Sequence, residues 1–200
     1  MNFEEYRKHD AVGLAGLVSK GEVSPSELLE TAVARMAAVN PKINAVTMDL
    51  TEWGRQDVKR DIWGGPMAGV PFLLKDLGAQ LEGAPTTAGS AVFRDATAAA
   101  DSAITTAYKD AGLVLFGKTN TPEWGHGSHS FNPVFGVTRN PYDLTRSAGG
   151  SSGGAAAGLA ARMLPVADGS DMMGSLRNPA AFCNVYGFRP SYGRVPGDAV

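Results

Sequence analysis

Glycine constrains this chain more than any other residue: it fills 25 of 200 positions, where about 14 would be usual for the length. Such an excess means either tight turns and close backbone approaches or a disordered linker. The richest stretch decides between the two. Gly149-Gly150-Ser151-Ser152-Gly153-Gly154 runs straight into residues 155–162, an alanine-rich segment with the composition of a helix. A linker would not end that way, so the glycines are read as part of a packed fold.

Periodicity supplies the rest of the fold class. Leu14, Leu17 and Val18 share a helical face that stops at Gly21. Ser24-Pro25-Ser26-Glu27 has the form of a capping box with proline at the first helical position. Leu28, Leu29, Val33, Met36 and Val39 carry that helix to Asn40-Pro41, where proline is expected to end it. Residues 43–50 read as a short strand and 57–63 as a third helix. After the turn at Gly64-Gly65-Pro66, Val70-Pro71-Phe72-Leu73-Leu74 forms a buried strand that delivers Lys75-Asp76. Residues 77–99 form a loop crossing, 101–111 a helix, and Leu113-Val114-Leu115-Phe116 another buried strand. Residues 121–147 read as loop, 155–162 as helix and 164–167 as strand. Alternating helix and strand predicts an α/β fold, an open sheet with helices packed on it.

Composition narrows the function. Eighteen Lys plus Arg against 20 Asp plus Glu give a net charge of -2, with no basic field for nucleic acid or anionic lipid. The single cysteine, Cys183, excludes an internal disulfide and a CxxC zinc site. No apolar run approaches the ~20 residues of a membrane span, and residues 1–10 are polar, unlike a signal peptide. The expected setting is a reducing one, the cytoplasm.

Four motif matches carry chemistry. Gly112 through Gly117-Lys118-Thr119 fits the P-loop pattern by letter, but its four intervening residues are themselves an apolar strand and cannot wrap phosphates. Gly150-Ser151-Ser152-Gly153-Gly154 fits a nucleophile elbow with Ser152 as nucleophile. That elbow needs a preceding strand, which residues 141–147 do not resemble, and a later histidine, whereas His9, His126 and His129 all precede it. Glu123, His126 and His129 could be metal ligands, but glycines and prolines among them argue for a loop, and no metal is expected. The fourth match is a constellation: Lys75 at a strand end, the serine pair 151–152, and Asp171-Met172-Met173-Gly174-Ser175-Leu176-Arg177. A serine without histidine can be activated by a neutral lysine if burial depresses the lysine pKa. Singly, Lys75 could be a snorkelling surface residue and Ser175 a helix cap; together they point to a site.

At these residues the chain resembles the amidase signature family of serine hydrolases. The resemblance rests on Gly149 through Gly154, Asp171 and Gly174-Ser175-Leu176-Arg177, with Gly69-Val70-Pro71-Phe72-Leu73-Leu74-Lys75-Asp76. Gly117-Lys118-Thr119-Asn120, Asn132-Pro133 and Asn140-Pro141 extend it, so that it runs from about residue 65 to the end. It implies an open mixed sheet packed between helices, in a chain that is the N-terminal part of one longer domain. Residues 1–63 would be its helical start and 64–200 its catalytic core. It also implies a Ser-Ser-Lys triad: Ser175 the acylated nucleophile, Ser151 the bridging serine after a cis peptide at Gly150–Ser151, and Lys75 the base. Backbone N–H groups of Met172, Met173, Gly174 and Ser175 would form the oxyanion hole, and Gly125 would line the pocket. Family members commonly carry small residues before the nucleophile, whereas this chain has Met173-Gly174. A positive φ at 173 would strain methionine; otherwise Met172 and Met173 put bulk beside the oxyanion loop.

The implied activity is hydrolysis of a carboxylic amide C–N bond through an acyl-enzyme, without a cofactor. The partner is a small-molecule amide, and a homodimer is allowed. Two rivals stay open: an A-type amidotransferase component that passes ammonia to a partner, and a non-catalytic binding module or an esterase using Ser152.

Overall fold

The computed structural model describes residues 1–59 and 64–195. Three helices open the chain: α1 (Phe3–Tyr6), α2 (Ala11–Ser19) and α3 (Pro25–Ile43). The first was not anticipated from its polar sequence; Asn2 caps it, and buried Tyr6 donates its hydroxyl to Met163 O at 3.2 Å. The capping box of α3 forms as the sequence predicts, with Ser24 Oγ accepting from Glu27 N–H and Glu27 accepting from Ser24 N–H. Proline does not end α3. Its missing N–H removes one bond in the last turn, and the helix closes at Asn44 in the left-handed region (φ 49°). Asn40 finishes the turn by accepting from the N–H groups of Ala45 and Val46.

Next come β1 (Val46–Asp49), α4 (Thr51–Asp57), β2 (Pro71–Lys75), α5 (Ala103–Asp110) and β3 (Val114–Thr119). A helix over 57–63 lies partly outside the described residues, and its described start is the end of α4. The three strands form a mixed sheet in the order β1-β3-β2, with β2 parallel and β1 antiparallel to β3. Every residue of β2 and β3 is buried, as the unbroken apolar runs require of strands covered on both faces. The P-loop letters from Val114 to Thr119 therefore lie inside β3, with Gly112 and Leu113 just before it. Helices α3 and α4 pack against this sheet, and the core joins Leu14, Leu28, Leu29, Phe72, Leu73, Val114, Phe116 and Met163.

The segment 121–147, expected as loop, holds two small hairpins. They are β4 (Phe131–Asn132) with β5 (Gly136–Val137), and β6 (Arg139–Asn140) with β7 (Asp143–Ser147). Strand β7 corrects the reading of 141–147: it is a strand, but almost wholly exposed, so no buried apolar pattern marks it. Conversely, 164–167 is not a full strand; it touches β2 through one parallel bridge, Leu73 to Ala167. The chain ends its described part with α6 (Gly153–Ala160) and α7 (Arg177–Phe182). Among the described residues no helix is long and apolar enough to cross a membrane.

Close approach explains the glycine run. A Cβ on Gly154 would lie 2.4 Å from Asn120 N and 2.5 Å from Ala45 O, both main-chain atoms that cannot step aside. Helix α6 therefore sits directly on the ends of β1 and β3. Gly154→Ala should cost about 1–3 kcal/mol through overpacking. Gly16→Ala, in α2 with nothing within 4 Å of the added carbon, should stabilise by up to about 1 kcal/mol. Urea unfolding of the two variants should move in opposite directions from the parent.

Candidate active site

Lys75 ends a buried parallel strand, the position from which open α/β sheets usually present functional groups. Its side chain has no exposed surface. Nζ donates to Ser151 Oγ at 2.7 Å and to Ser170 Oγ at 2.9 Å. Burial pulls the Lys75 pKa down to about 8, against the opposing charges of Asp168 and Asp171. An ammonium without solvent is stabilised only by acceptors, and two hydroxyls are weaker than a carboxylate contact. At pH 7 roughly one amine in ten is thus neutral, far more than an ordinary lysine with a pKa of about 10.4 allows.

Ser151 follows a cis peptide bond at Gly150–Ser151. Its carbonyl accepts from Ser130 Oγ at 3.2 Å, and the same Ser130 oxygen accepts from Gly153 N–H. Gly150 packs against the backbone at Ser128 and His129. Ser152 points elsewhere: its hydroxyl donates to Ser170 O and accepts from Ser170 N–H, holding that loop beside Lys75. A nucleophile needs a base, and no imidazole contacts Ser152 among the described residues. His129 is bonded to Ser147, and Glu123 accepts from Ser90.

Ser175 is joined to this group through the main chain, Ser152 N–H donating to Ser175 O at 2.9 Å. No hydrogen bond links its hydroxyl to Ser151 among the described residues. The loop before it is shaped by Asp171, whose side chain is 1 % exposed. That carboxylate accepts from the N–H groups of Gly174 (2.7 Å), Leu176 and Arg177, and from two nitrogens of the Arg177 guanidinium. The Arg177 contact is the leading reason its pKa falls well below the carboxylate range. Gly174 takes the positive φ, 109°, and Met173 does not, so methionine there is not strained. Both methionines instead extend outward, Met172 88 % and Met173 86 % exposed. Gly174 N–H is committed to Asp171, which leaves the N–H groups of Met172, Met173 and Ser175 without a partner among the described residues. Gly125 faces the same site: a Cβ there would come within 3.6 Å of Ser151 Oγ and clash with Leu77.

Sequence reasoning missed Ser170 and Asp168. Each is a lone polar residue in a loop, with no periodicity or motif to single it out; only the fold brings them to Lys75. A groove of about 630 Å³ lies on the Ser152, Asp168 and Leu176 side of the site.

A mixed sheet with a buried lysine on a serine that follows a cis peptide defines an α/β enzyme scaffold of the amidase signature type. The chain belongs to the Amidase family, whose model matches residues 27–200. It is 45% identical over 194 residues to the 6-aminohexanoate-cyclic-dimer hydrolase of Paenarthrobacter ureafaciens, covering 96% of this chain and 39% of that protein. It is 41% identical over 198 residues to the A-type subunit of the glutamyl-tRNA(Gln) amidotransferase of Persephonella marina, covering 96% and 41%. It also superposes on the crystal structure of a bacterial aryl acylamidase of the amidase signature enzymes, with TM-score 0.89, 38% identity, and 96% and 41% coverage. The chain thus spans about two fifths of the length of the curated relatives it matches.

The Asp171 carboxylate ties stability to pH. Its native pKa is lowered, so its stabilisation is present in full above the unfolded value of about 3.9 and is lost as pH falls from there through the native value. Asp171→Asn should therefore melt below the parent at pH 7, with the gap narrowing as pH is lowered below about 4. An equal gap at both ends would assign the effect to hydrogen-bond geometry instead of charge.

Proposed function

We propose that the protein of which this chain is part hydrolyses a carboxylic amide through an acyl-enzyme, with Ser175 as nucleophile, Ser151 as bridge and Lys75 as base. The observation that carries this reading is the 2.7 Å contact between the buried Lys75 amine and Ser151 Oγ. Ser175 Oγ attacks the amide carbon; its proton passes to Ser151 Oγ as the Ser151 proton passes to neutral Lys75 Nζ. The carbonyl electron pair moves onto oxygen, where the N–H groups of Met172, Met173 and Ser175 are free to receive it. Collapse breaks the C–N bond, and the proton returns from Lys75 through Ser151 to the leaving amine. Water then attacks the acyl-serine by the same relay. Gly174 acts by turning the chain, its N–H being held by Asp171.

The substrate class is a small-molecule amide, in keeping with the named amide hydrolases among the relatives. A second reading, a transamidating component of a larger complex, draws on the likeness to the A-type subunit of the glutamyl-tRNA(Gln) enzyme. Two bulky methionines beside the nucleophile favour the stand-alone amidase. Hydrolysis that requires added partner proteins would favour the transamidase.

Fluorophosphonate treatment followed by intact mass measurement tests the assignment. One adduct is expected, lost in Ser175→Ala; wild-type labelling of that variant at Ser152 would revive the esterase reading. The labelling rate should rise with pH through a midpoint near 8, since only the neutral amine accepts a proton. Lys75→Arg should slow labelling about 10²–10⁴-fold, because guanidinium stays protonated. Normal labelling of Lys75→Arg would exclude lysine as the base.

Met172 and Met173 lend the loop their N–H groups, while their side chains occupy the approach to it. Met173→Gly should leave kcat/KM for small acyl groups within a few-fold and raise it for bulky ones, since oxyanion donors belong to the main chain. A uniform loss across a graded acyl series would show that methionine shapes the N–H geometry itself.

A further inference from the structure

Asp168 stands outside the serine–lysine set, yet it meets Lys75 from below. It is 5 % exposed. Its Oδ2 accepts the backbone N–H of Lys75 at 3.1 Å, and its Oδ1 accepts the Tyr108 hydroxyl at 2.9 Å. Its own N–H donates to Leu73 O at 3.1 Å, beside the bridge between Leu73 and Ala167. Tyr108, on α5, leans its ring on Phe72 of β2 with centroids 4.7 Å apart. One carboxylate therefore ties β2, α5 and the 168 segment together at the root of the lysine.

A neutral amide could keep the Lys75 N–H bond at its one oxygen and hold Tyr108 only by reversing that bond, with Nδ2 donating to the phenol oxygen. What a carboxylate adds besides is charge, whose burial costs free energy unless it is paired or hydrogen-bonded. The charged neighbours that act on Lys75 are Asp168 first and Asp171 second. Asp76, next in the chain, is turned to Thr87 and lies 3.8 Å from buried Lys118. Tyr108 stays protonated, since burial and Asp168 both push its ionisation well above the usual phenol range. On its groove side Asp168 shares a wall with Arg7, Lys8, His9, Asp10 and Arg162. Burial pushes the Asp168 carboxyl up, and the Lys75 N–H, the Tyr108 hydroxyl, the Lys75 charge and the Gly169 N–H offset only part of that rise.

We propose that Asp168 is a positioning residue for Lys75: a carboxylate fixed by Tyr108 and by the lysine's own N–H, it puts negative charge at the root of the lysine and restores part of the basicity that burial removes. The inference rests on Lys75 being the base. Burial alone would leave the amine neutral but a feeble proton acceptor. The buried anion restores part of its basicity, so the same group can begin neutral and still take the serine proton.

The test is the ¹³Cε titration of Lys75 in the 200-residue chain, its signal assigned by its loss in Lys75→Met. The parent midpoint should fall near 8. Asp168→Asn keeps the shape and should lower that midpoint by about one pH unit. A folded Asp168→Asn whose lysine titrates at the parent value or above overturns the proposal. If Asp168→Asn does not fold, the parent still decides. The Asp168 carboxyl carbon should then show an inflection at the Lys75 midpoint that vanishes in Lys75→Met, and a carboxyl silent at that pH overturns the proposal. The two layers separate cleanly. A parent midpoint near the ordinary lysine value of about 10.4 would sink the lysine-base reading itself. A midpoint near 8 that Asp168→Asn leaves in place sinks the role of Asp168 alone.

Discussion

A lysine amine with no exposed surface must find acceptors or release its proton, and the structure around Lys75 follows from that requirement. Lys75 ends β2, and every residue of β2 and of the paired strand β3 is buried. Two hydroxyls, Ser151 and Ser170, are then the acceptors that reach Nζ. They are weaker acceptors than a carboxylate, and the lysine pKa stays well below its ordinary value. A carboxylate in direct contact would hold the ammonium charged. The two aspartates in range instead act at one remove, Asp168 through the backbone N–H and Asp171 across the neighbouring loop.

Bringing serines from separate segments onto one lysine demands backbones that nearly touch. Gly150 before α6 and Gly153 and Gly154 in its first turn meet that demand, packing on Ser128, His129, Ser130 and Asn120 where any side chain would collide. The loop that carries Ser175 is fixed by a different means. Asp171 gathers three backbone N–H groups and a guanidinium, so that the N–H groups it leaves free are the ones beside Ser175. Packing positions one half of the site, and a single carboxylate positions the other.

Much of this was legible in the chain. The apolar runs of β2 and β3, the capping box of α3 and the delivery of Lys75 by a buried strand all follow local rules of period and capping. The hairpins of 131–147 were not legible, because β7 pairs in solvent and buries nothing that would pattern its sequence. Pro41 misled for a related reason: a proline breaks a helix interior, but in the last turn its one lost bond is small beside the contacts Asn40 makes. At the site, Lys75, Ser151 and Ser175 were read from spaced motifs, whereas Ser170, Asp168 and Tyr108 meet only through tertiary structure. The sequence also left two options for Met173. The positive φ falls on Gly174, so Met173 is not strained, and both methionine side chains stand exposed.

The central claim is that Ser175 is the residue acylated and that the free N–H groups of its loop receive the developing oxyanion. A crystal structure of the fluorophosphonate adduct tests this most directly. The expected result is phosphorus bonded to Ser175 Oγ, its phosphoryl oxygen within hydrogen-bond reach of the N–H groups of Met172, Met173 and Ser175, and Gly174 N–H still on Asp171. Phosphorus on Ser151 or Ser152, or a phosphoryl oxygen turned away from that loop, would contradict it.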